Sequence, residues 1–540
     1  MSADLPVAEA KRAVAVTPWW KGAVIYQIYP RSFADSNGDG IGDLKGITGQ
    51  LDHVTGLGCD AVWISPFFTS PMKDFGYDVA DYCGVDPIFG TMEDFDHLVG
   101  RAHQLGLKVL IDQVYSHSSD RHPWFLESRS SRDNPKADWY VWADPKADGS
   151  PPNNWQAVFG GPSWTWDARR EQYYHHSFLK EQPQLNLHNA DVQDALLDVA
   201  RFWLDRGVDG FRLDALNFAM HDPELRDNPP VENPVRRSRP FDFQHHIYNQ
   251  GHPGITRFIE RFRALTDRYD GIFSLAEVGG ERSAEETKSY THGDRRLNSA
   301  YGFDYLYADA LTPAVVRETI RNWPGKPGEG WPSWAFSNHD APRFASRWWA
   351  EEQREAGVRV ALMLLTALRG NAILYQGEEL GLPQAHVPFE HLQDPEAIAN
   401  WPQTLGRDGA RTPMPWTGAK DGGFGSMEPW LPLDPVHRSF NVEAQRADSS
   451  STLHWTRQLI ALRKDNPALR EGMIRLLDDS SDQVVAFERS TDGSGLACVF
   501  NLSASPAANP VQCGKMLIST GGADSNSPTL PPVSGFIARC

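Results

Sequence analysis

Short apolar runs recur along most of the chain, and stretches with apolar residues at helical spacing lie between them. The run 24–29 (VIYQIY) reads as a first strand; helical spacing returns around 47–57, and 61–64 (AVWI) gives a second. Further strands are predicted at 108–112, 210–214, 272–277, near 303–307, at 333–338 and at 372–375. Strand and helix in alternation predict a parallel sheet, and eight such units close into a barrel, so the fold class is α/β, a (β/α)8 TIM barrel. Two places break the rhythm. About a hundred residues separate the third and fourth strands, far more than a crossover helix needs. The stretch 118–186, rich in Pro, Asn, Trp and Asp with β-like pieces such as 172–178 (QYYHHSF), is therefore expected to be an inserted domain B. Beyond residue 460, short β runs at 473–477, 484–487 and 496–500 are separated by Asp, Ser and Gly turns, which predicts a C-terminal antiparallel β domain. The expected division is 1–117 and 187–468 for the barrel, 118–186 for the insertion and 469–540 for the C-terminal domain, whose Ser/Pro/Gly-rich end is expected to be irregular.

A length of 540 residues suits several cores rather than one. With 52 Lys plus Arg against 70 Asp plus Glu, the formal charge is −18, which disfavours nucleic acid and suits a neutral partner. No apolar run approaches the ~20 residues of a membrane span, and the N-terminal MSADLP lacks the basic-then-apolar order of a secretory signal. The five cysteines (Cys59, Cys83, Cys498, Cys513, Cys540) are odd in number and lack metal-type spacing. They read as free thiols in a reducing compartment, the cytoplasm. Oligomeric state is not legible.

Candidate chemistry sits after the strands. In 35–43 (DSNGDGIGD), Asp35, Asn37, Asp39 and Asp43 fall at the first, third, fifth and ninth positions of an EF-hand-like loop, and oxygen donors so spaced suit a hard cation. Gly46 stands where an EF-hand has its bidentate Glu, and no helix pair flanks the loop, so spacing alone leaves a solvated turn equally open. Three predicted strands end abruptly in acids: Asp214 in 207–215 (GVDGFRLDA), Glu277 in 272–277 (IFSLAE) and Asp340 in 333–340 (SWAFSNHD). One such Asp alone is a turn residue more often than not. Several together at the C-terminal ends of barrel strands, where chemistry is placed, supply the paired carboxyl groups that glycosidic cleavage needs.

These segments, together with 112–117 (DQVYSH), resemble the ordered motif set of glycoside hydrolase family 13, the α-amylase superfamily, in its α-glucosidase and oligo-1,6-glucosidase branch. The resemblance runs from about Trp19 to about Ile460. It implies that Asp214 is the nucleophile, Glu277 the general acid/base, and Asp340 the carboxylate that holds sugar hydroxyls. Arg212, on the same strand face as Asp214, can keep the nucleophile ionised, the bland alternative being a structural ion pair. His117 and His339 are expected to donate to substrate hydroxyls. In 74–78 (DFGYD), Tyr77 would stack under the first glucose and Asp74 grip its far hydroxyls, with Arg411 closing the floor beside Asp74. Phe159, Phe178 and Gln182 match wall positions, and a closed floor implies removal of one terminal glucose per cut. Ala215 borders the acceptor side; in the family Val there accompanies α-1,6 preference, and Thr or Ala accompanies α-1,4. The resemblance also favours a structural Ca2+ or Mg2+ at the 35–43 loop, held by Asp35, Asn37, Asp39, Ile41 and Asp43, with no catalytic cofactor. Two residues depart from the pattern: Gln184, where the family has Asp, and Ser116, where it has Asn. They bear on substrate preference and on the edge of the insertion.

The implied activity is that of a retaining, exo-acting α-glucosidase for small neutral oligosaccharides, with transfer to alcohol or sugar acceptors. An oligo-1,6-glucosidase or a sucrose- or trehalose-acting isomerase would share the acids and differ in its acceptor loops. A non-catalytic scaffold, such as a transporter heavy chain, is opposed by the retention of all three acids. No His/Cys set, nucleotide-type Gly loop or Ser elbow offers other chemistry.

Overall fold

The computed structural model describes residues 17–232, 239–326, 328–404, 406–478 and 480–540; the N-terminal hexapeptide read for a leader lies outside them. Eight parallel strands close into a barrel: β1 (Val24–Ile28), β2 (Ala61–Ile64), β3 (Lys108–Val114), β4 (Gly210–Asp214), β5 (Phe273–Glu277), β6 (Ser299–Tyr301), β7 (Trp331–Ala335) and β8 (Asn371–Tyr375), with β8 pairing back to β1. Both strand faces are buried, which is why these segments read as continuous apolar runs. Ile25, Trp63, Leu110, Phe273, Leu275 and Ile373 fill the interior, while Val24, Tyr26 and Ile28 pack outward into the main core beneath the helices.

Local signals fix the helix ends. Asp43 caps α1 (Leu44–Leu57) by accepting the Gly46 N–H, and Gly58 ends it in the left-handed region at φ 91°. A reciprocal capping box of Thr91 and Asp94 starts α2 (Met92–Gln104).

Two strand predictions are corrected. The sixth strand is Ser299–Tyr301 rather than 303–307; its three residues include a Ser and carry little apolar signal, while Leu306 and Phe303 belong to the chain that covers the interior core. The seventh ends at Ala335, because the Asn338 side chain accepts the N–H groups of Asp340 and Ala341 at 2.8 and 2.7 Å and bends the chain into a turn.

Between β3 and β4 the chain leaves the barrel and forms a three-stranded antiparallel sheet from Trp142–Ala143, Gln172–His175 and Trp164–Asp167. After the barrel, β9 (Met473–Asp478), β10 (Val484–Thr491), β11 (Ser494–Asn501), β12 (Lys515–Thr520) and β13 (Ser534–Arg539) make an antiparallel sheet in the order β9-β10-β11-β13-β12. The Ser/Pro/Gly-rich stretch 521–533 is mostly turn, as expected, and leads into β13, a strand paired on both sides. One face of this sheet, with Phe487, Phe500 and Ile537, joins the main core. Cys513 and Cys540 form a disulfide, which corrects the reading of all five cysteines as free thiols and removes their support for a reducing compartment. Among the described residues no helix is long and apolar enough to cross a membrane.

Candidate active site

Asp214 and Glu277 are the last residues of β4 and β5, and Asp340 lies in the turn that follows β7. All three line one cleft of about 730 Å³, with Asp74, Tyr77, His117, Phe159, Phe178, Ala215 and Arg407 also in its wall. Gln182, Arg212, His339 and Arg411 do not reach the cleft surface; each is fully buried behind it.

Arg212 is the hub. Its Nη1 donates to Asp214 Oδ1 at 2.6 Å and to Asp112 Oδ1 at 2.7 Å. Nε and Nη2 donate to the Tyr301 hydroxyl at 3.2 and 3.0 Å, and that hydroxyl donates to Glu277 Oε1 at 3.2 Å. Glu277 Oε2 lies 2.7 Å from Nη2, and the same oxygen accepts the Ala215 N–H at 3.2 Å. One guanidinium therefore holds the two expected catalytic carboxyl groups side by side. The sequence does not mark Asp112 and Tyr301 as site residues, although Asp112 opens the 112–117 segment.

The floor differs from expectation. Asp74 is gripped by Arg407 (Nη2 to Oδ1, 2.8 Å), which also binds Asp394 through Nη2 and Nε at 2.7 and 3.1 Å. Arg411 instead donates to Asp340 Oδ1 at 2.6 Å and to the His339 carbonyl at 2.7 Å. The partner of Asp74 is thus four residues earlier in the same RDGAR segment; two arginines one helical turn apart in a sequence cannot be told apart by spacing.

Behind the floor, Tyr77 stacks on His339 with ring centroids 5.3 Å apart and planes 5° off parallel. The Tyr77 hydroxyl donates to Asp112 Oδ2 at 3.1 Å, so it accepts from His339 Nε2 at 2.6 Å. His339 Nδ1 then accepts from Gln27 Nε2 at 2.8 Å. Burial pushes His339 down to about 3 despite Asp340 beside it, and His117 to about 4; both rings are neutral. His117 packs against Phe178 with the ring planes tilted by 58°, and its Nδ1 meets the Ser116 hydroxyl at 2.9 Å. Gln182 Nε2 donates to Asp74 Oδ2 at 3.1 Å, so it positions that carboxylate from behind. The second departure from the motif, Gln184, donates to the Phe218 carbonyl at 2.7 Å and ties the insertion to the chain just beyond β4.

Electrostatics divide the acids. For Asp340, burial works against ionisation, but His339, which is charged only below about 3, and the permanently charged Arg411 and Arg407 outweigh it and hold the carboxyl well below the usual range. Burial pushes Glu277 up to about 7 against the pull of Arg212, with Asp214 and Asp340 adding to the rise. Asp214 is likewise pushed up to about 7 by burial, opposed by Arg212 and assisted by Asp112 and Asp340. Near neutrality this pair holds about one proton. The aligned hydrogen bond from Arg212 goes to Asp214, which favours Asp214 as the anion and Glu277 as the acid.

The 35–43 loop is closed by its own amides. Asp35 Oδ1 accepts from Asn37 and Gly38, Asp35 Oδ2 accepts from Gly40 at 2.9 Å, and Asp39 Oδ1 accepts from Ile41 at 2.9 Å. Asp43 bonds Ser36 and caps α1. The oxygen donors are of the type a hard cation takes, yet among the described residues no three His, Cys, Asp or Glu side chains gather as metal ligands.

A barrel that brings a strand-end acid/base pair onto one arginine, beside a third carboxylate held ionised, is built to cleave glycosidic bonds: the protein is a glycoside hydrolase. Residues 27–472 match the alpha amylase catalytic domain, and the chain belongs to that family, glycoside hydrolase family 13, in its α-glucosidase and oligo-1,6-glucosidase branch. A "Probable alpha-glucosidase" of Rhizobium meliloti (strain 1021) is 54% identical over 494 residues, 90% of this chain and 89% of that protein. An oligo-1,6-glucosidase of Parageobacillus thermoglucosidasius is 36% identical, over 90% of each. The crystal structure of XgtA, an alpha-glucosyl transfer enzyme, superposes with a TM-score of 0.93 at 52% identity, covering 97% of this chain and 100% of that one. A MutB mutant in complex with sucrose superposes at 0.89 and 33% identity, covering 97% and 99%.

Proposed function

We propose that this chain is a retaining exo-α-glucosidase that prefers short α-1,4-linked glucosides and transfers glucose to alcohol or sugar acceptors as well as to water. The observation that carries retention is the shared guanidinium: two carboxyl groups on one Arg212 suit the ~5 Å separation of a nucleophile and its acid rather than the wider gap that admits a water between them. Asp214 attacks the anomeric carbon while Glu277 gives its proton to the glycosidic oxygen, leaving a glucosyl ester on Asp214. Glu277, now a carboxylate, takes a proton from water or an alcohol, whose oxygen attacks the ester and restores the α configuration. Removal of a terminal unit is supported by the Asp74, Arg407 and Asp394 cluster in and behind the wall. Transfer is supported by the 52% identical alpha-glucosyl transfer enzyme, and α-1,4 preference by Ala215.

Product analysis with maltose, isomaltose, sucrose and trehalose tests this. Maltose should be cleaved best, α-glucose should appear first by proton NMR, added ethanol should yield ethyl α-glucoside, and Asp214→Ala should lose at least ~10^4-fold in kcat. A β-anomer appearing first, or isomaltose cleaved as well as maltose, would overturn the reading; sucrose rearranged without net glucose release would replace it with an isomerase.

A Ca2+ or Mg2+ at Asp35, Asn37, Asp39, Ile41 and Asp43 is proposed as a structural element of the loop, supported by its all-oxygen donor chemistry. Chelation should lower Tm through linkage and leave kcat at low temperature alone; an unchanged Tm would make the loop an amide-closed turn.

A further inference from the structure

Tyr301, the last residue of β6, stands in register beside Glu277, the last residue of β5, so the two side chains leave neighbouring strands on the same face. The backbone ties them as well, since the Val278 N–H donates to the Tyr301 carbonyl at 3.0 Å. Tyr301 is 1% exposed and takes no part in the cleft surface. Whatever it does to a substrate, it does through Glu277 or Arg212.

A phenol oxygen carries one proton and two lone pairs. Arg212 Nε and Nη2 both donate to it, at 3.2 and 3.0 Å, and a guanidinium accepts nothing in return. With both lone pairs taken the hydroxyl is fixed as a donor, and its proton goes to Glu277 Oε1 at 3.2 Å. The other carboxyl oxygen, Oε2, already faces two donors, the Ala215 N–H at 3.2 Å and Arg212 Nη2 at 2.7 Å. A proton on Oε2 would meet an N–H head on. The second lone pair of Oε1 is what remains for it.

We infer that Tyr301 is a positioning residue for the acid/base: by donating to one lone pair of Glu277 Oε1, it confines the transferable proton to the other lone pair of the same oxygen and holds the carboxyl in that orientation. This depends on the reading of Glu277 as acid/base given above. Bond cleavage then moves the proton from Oε1 to the leaving oxygen while Asp214 attacks, and in the second step the same lone pair takes a proton from water or an alcohol as its oxygen displaces Asp214. A scaffold role would differ: Tyr301 would only support the Arg212 guanidinium, which lies 6.0 Å from its ring and 5.0 Å from that of Trp63, and its loss would disturb Asp214 as much as Glu277.

Tyr301→Phe removes the donor and keeps the ring. With maltose, whose leaving group needs the proton, kcat/KM should fall about tenfold, and with p-nitrophenyl α-glucoside, whose leaving group needs little protonation, less than about threefold. Donation to Oε1 favours the carboxylate, so without it Glu277 keeps its proton to higher pH, and the alkaline limb of kcat/KM should move up by about one pH unit. The charged and titratable groups that face the pair are Asp112 on β3, Arg212 and Asp214 on β4, Tyr307 after β6 and Asp340 after β7; all remain in the variant. Replacing Tyr301 with 3-fluorotyrosine keeps the hydroxyl and makes it a stronger donor. That protein should show the limb moved down, and it decides the matter if Tyr301→Phe does not fold, as judged by Tm. Equal losses on both substrates with an unmoved limb would overturn the proposal, and so would a limb moved opposite to the direction given for either protein. Glu277→Gln separates the two readings: maltose turnover retained in it would sink the acid/base assignment itself, whereas turnover lost in it beside an unaffected Tyr301→Phe would sink the role of Tyr301 alone.

Discussion

Around Asp340, carboxylates meet guanidiniums in pairs: Arg411 with Asp340, and Arg407 with Asp74 and Asp394. Around Ala215 the wall is made largely of rings and glycine, with Phe218, Phe241 and Phe303 beside Gly279 and Gly280. The first half is electrostatically complete before substrate arrives, as preorganised binding of one invariant group requires. The second presents mainly ring faces and backbone, which set shape rather than charge. On the function proposed above, a family can keep the first half to hold glucose and vary linkage and acceptor through the second.

Removing Arg407 should have the largest effect, because it strands Asp74 and Asp394 as buried anions. Arg407→Ala is expected to cost ~3–5 kcal/mol of stability, the scale for breaking a buried pair from one side, and to raise KM for every glucoside alike. Ile247→Ala in the other half, at a side chain 41% exposed, should stay within ~0.5 kcal/mol. Denaturant unfolding of both variants decides; similar losses would mean that the halves do not differ as described.

How much of this was legible follows the same division. The strand-end acids and seven of the barrel strands could be read because each sits at or in a distinct apolar run with a fixed position in the fold. The β6 strand escaped because Ser299-Ala300-Tyr301 is too short to show a period. Arg407 was confused with Arg411 because ion-pair partners are set by side-chain reach across loops distant in sequence, here 333 residues apart. The Cys513 and Cys540 pair was missed because an odd cysteine count masks one bond among free thiols. The close packing after Glu277 could not be read at all: Gly279 and Gly280 look like turn residues until the structure shows Phe303 and Gln250 pressing against them.

The acceptor half is next. Ala215 adopts φ 39° and ψ 46°, a left-handed conformation that β-branched residues resist. Ala215→Val thus changes two things, adding volume beside the leaving group and adding backbone strain of ~1–3 kcal/mol. It should narrow the preference for maltose over isomaltose by ~1–3 kcal/mol and lower Tm. Ala215→Gly separates the causes, since it relaxes strain without adding volume, and should leave the linkage ratio in favour of maltose. If Gly narrows the ratio as much as Val does, pocket volume is not what sets linkage.

The smallest effect concerns what the reacting pair costs the fold. The Glu277 carboxyl is pushed up to about 7 in the native state, first by burial and then by Asp214 and Asp340, whereas an unfolded Glu titrates at ~4.3. The native state therefore binds the proton more tightly than the unfolded chain. By linkage this favours folding fully below pH ~4 and is lost progressively as pH rises through about 7. Glu277→Gln removes that dependence while keeping a neutral side chain of the same shape, whose single amide oxygen can accept from Tyr301 or from Ala215 but not from both. Relative to the unmodified protein, its stability should rise with pH, with a gain of ~1–3 kcal/mol at pH 8 that shrinks towards zero at pH 4. In parallel, kcat/KM of the unmodified protein should fall on the alkaline side of about 7 as Glu277 loses its proton, and on the acid side as Asp214, also pushed up to about 7, gains one. Thermal unfolding of both proteins across that range is the check. A stability difference flat in pH would mean that Glu277 is ionised in the resting enzyme, and would move the acid's proton elsewhere in the pair.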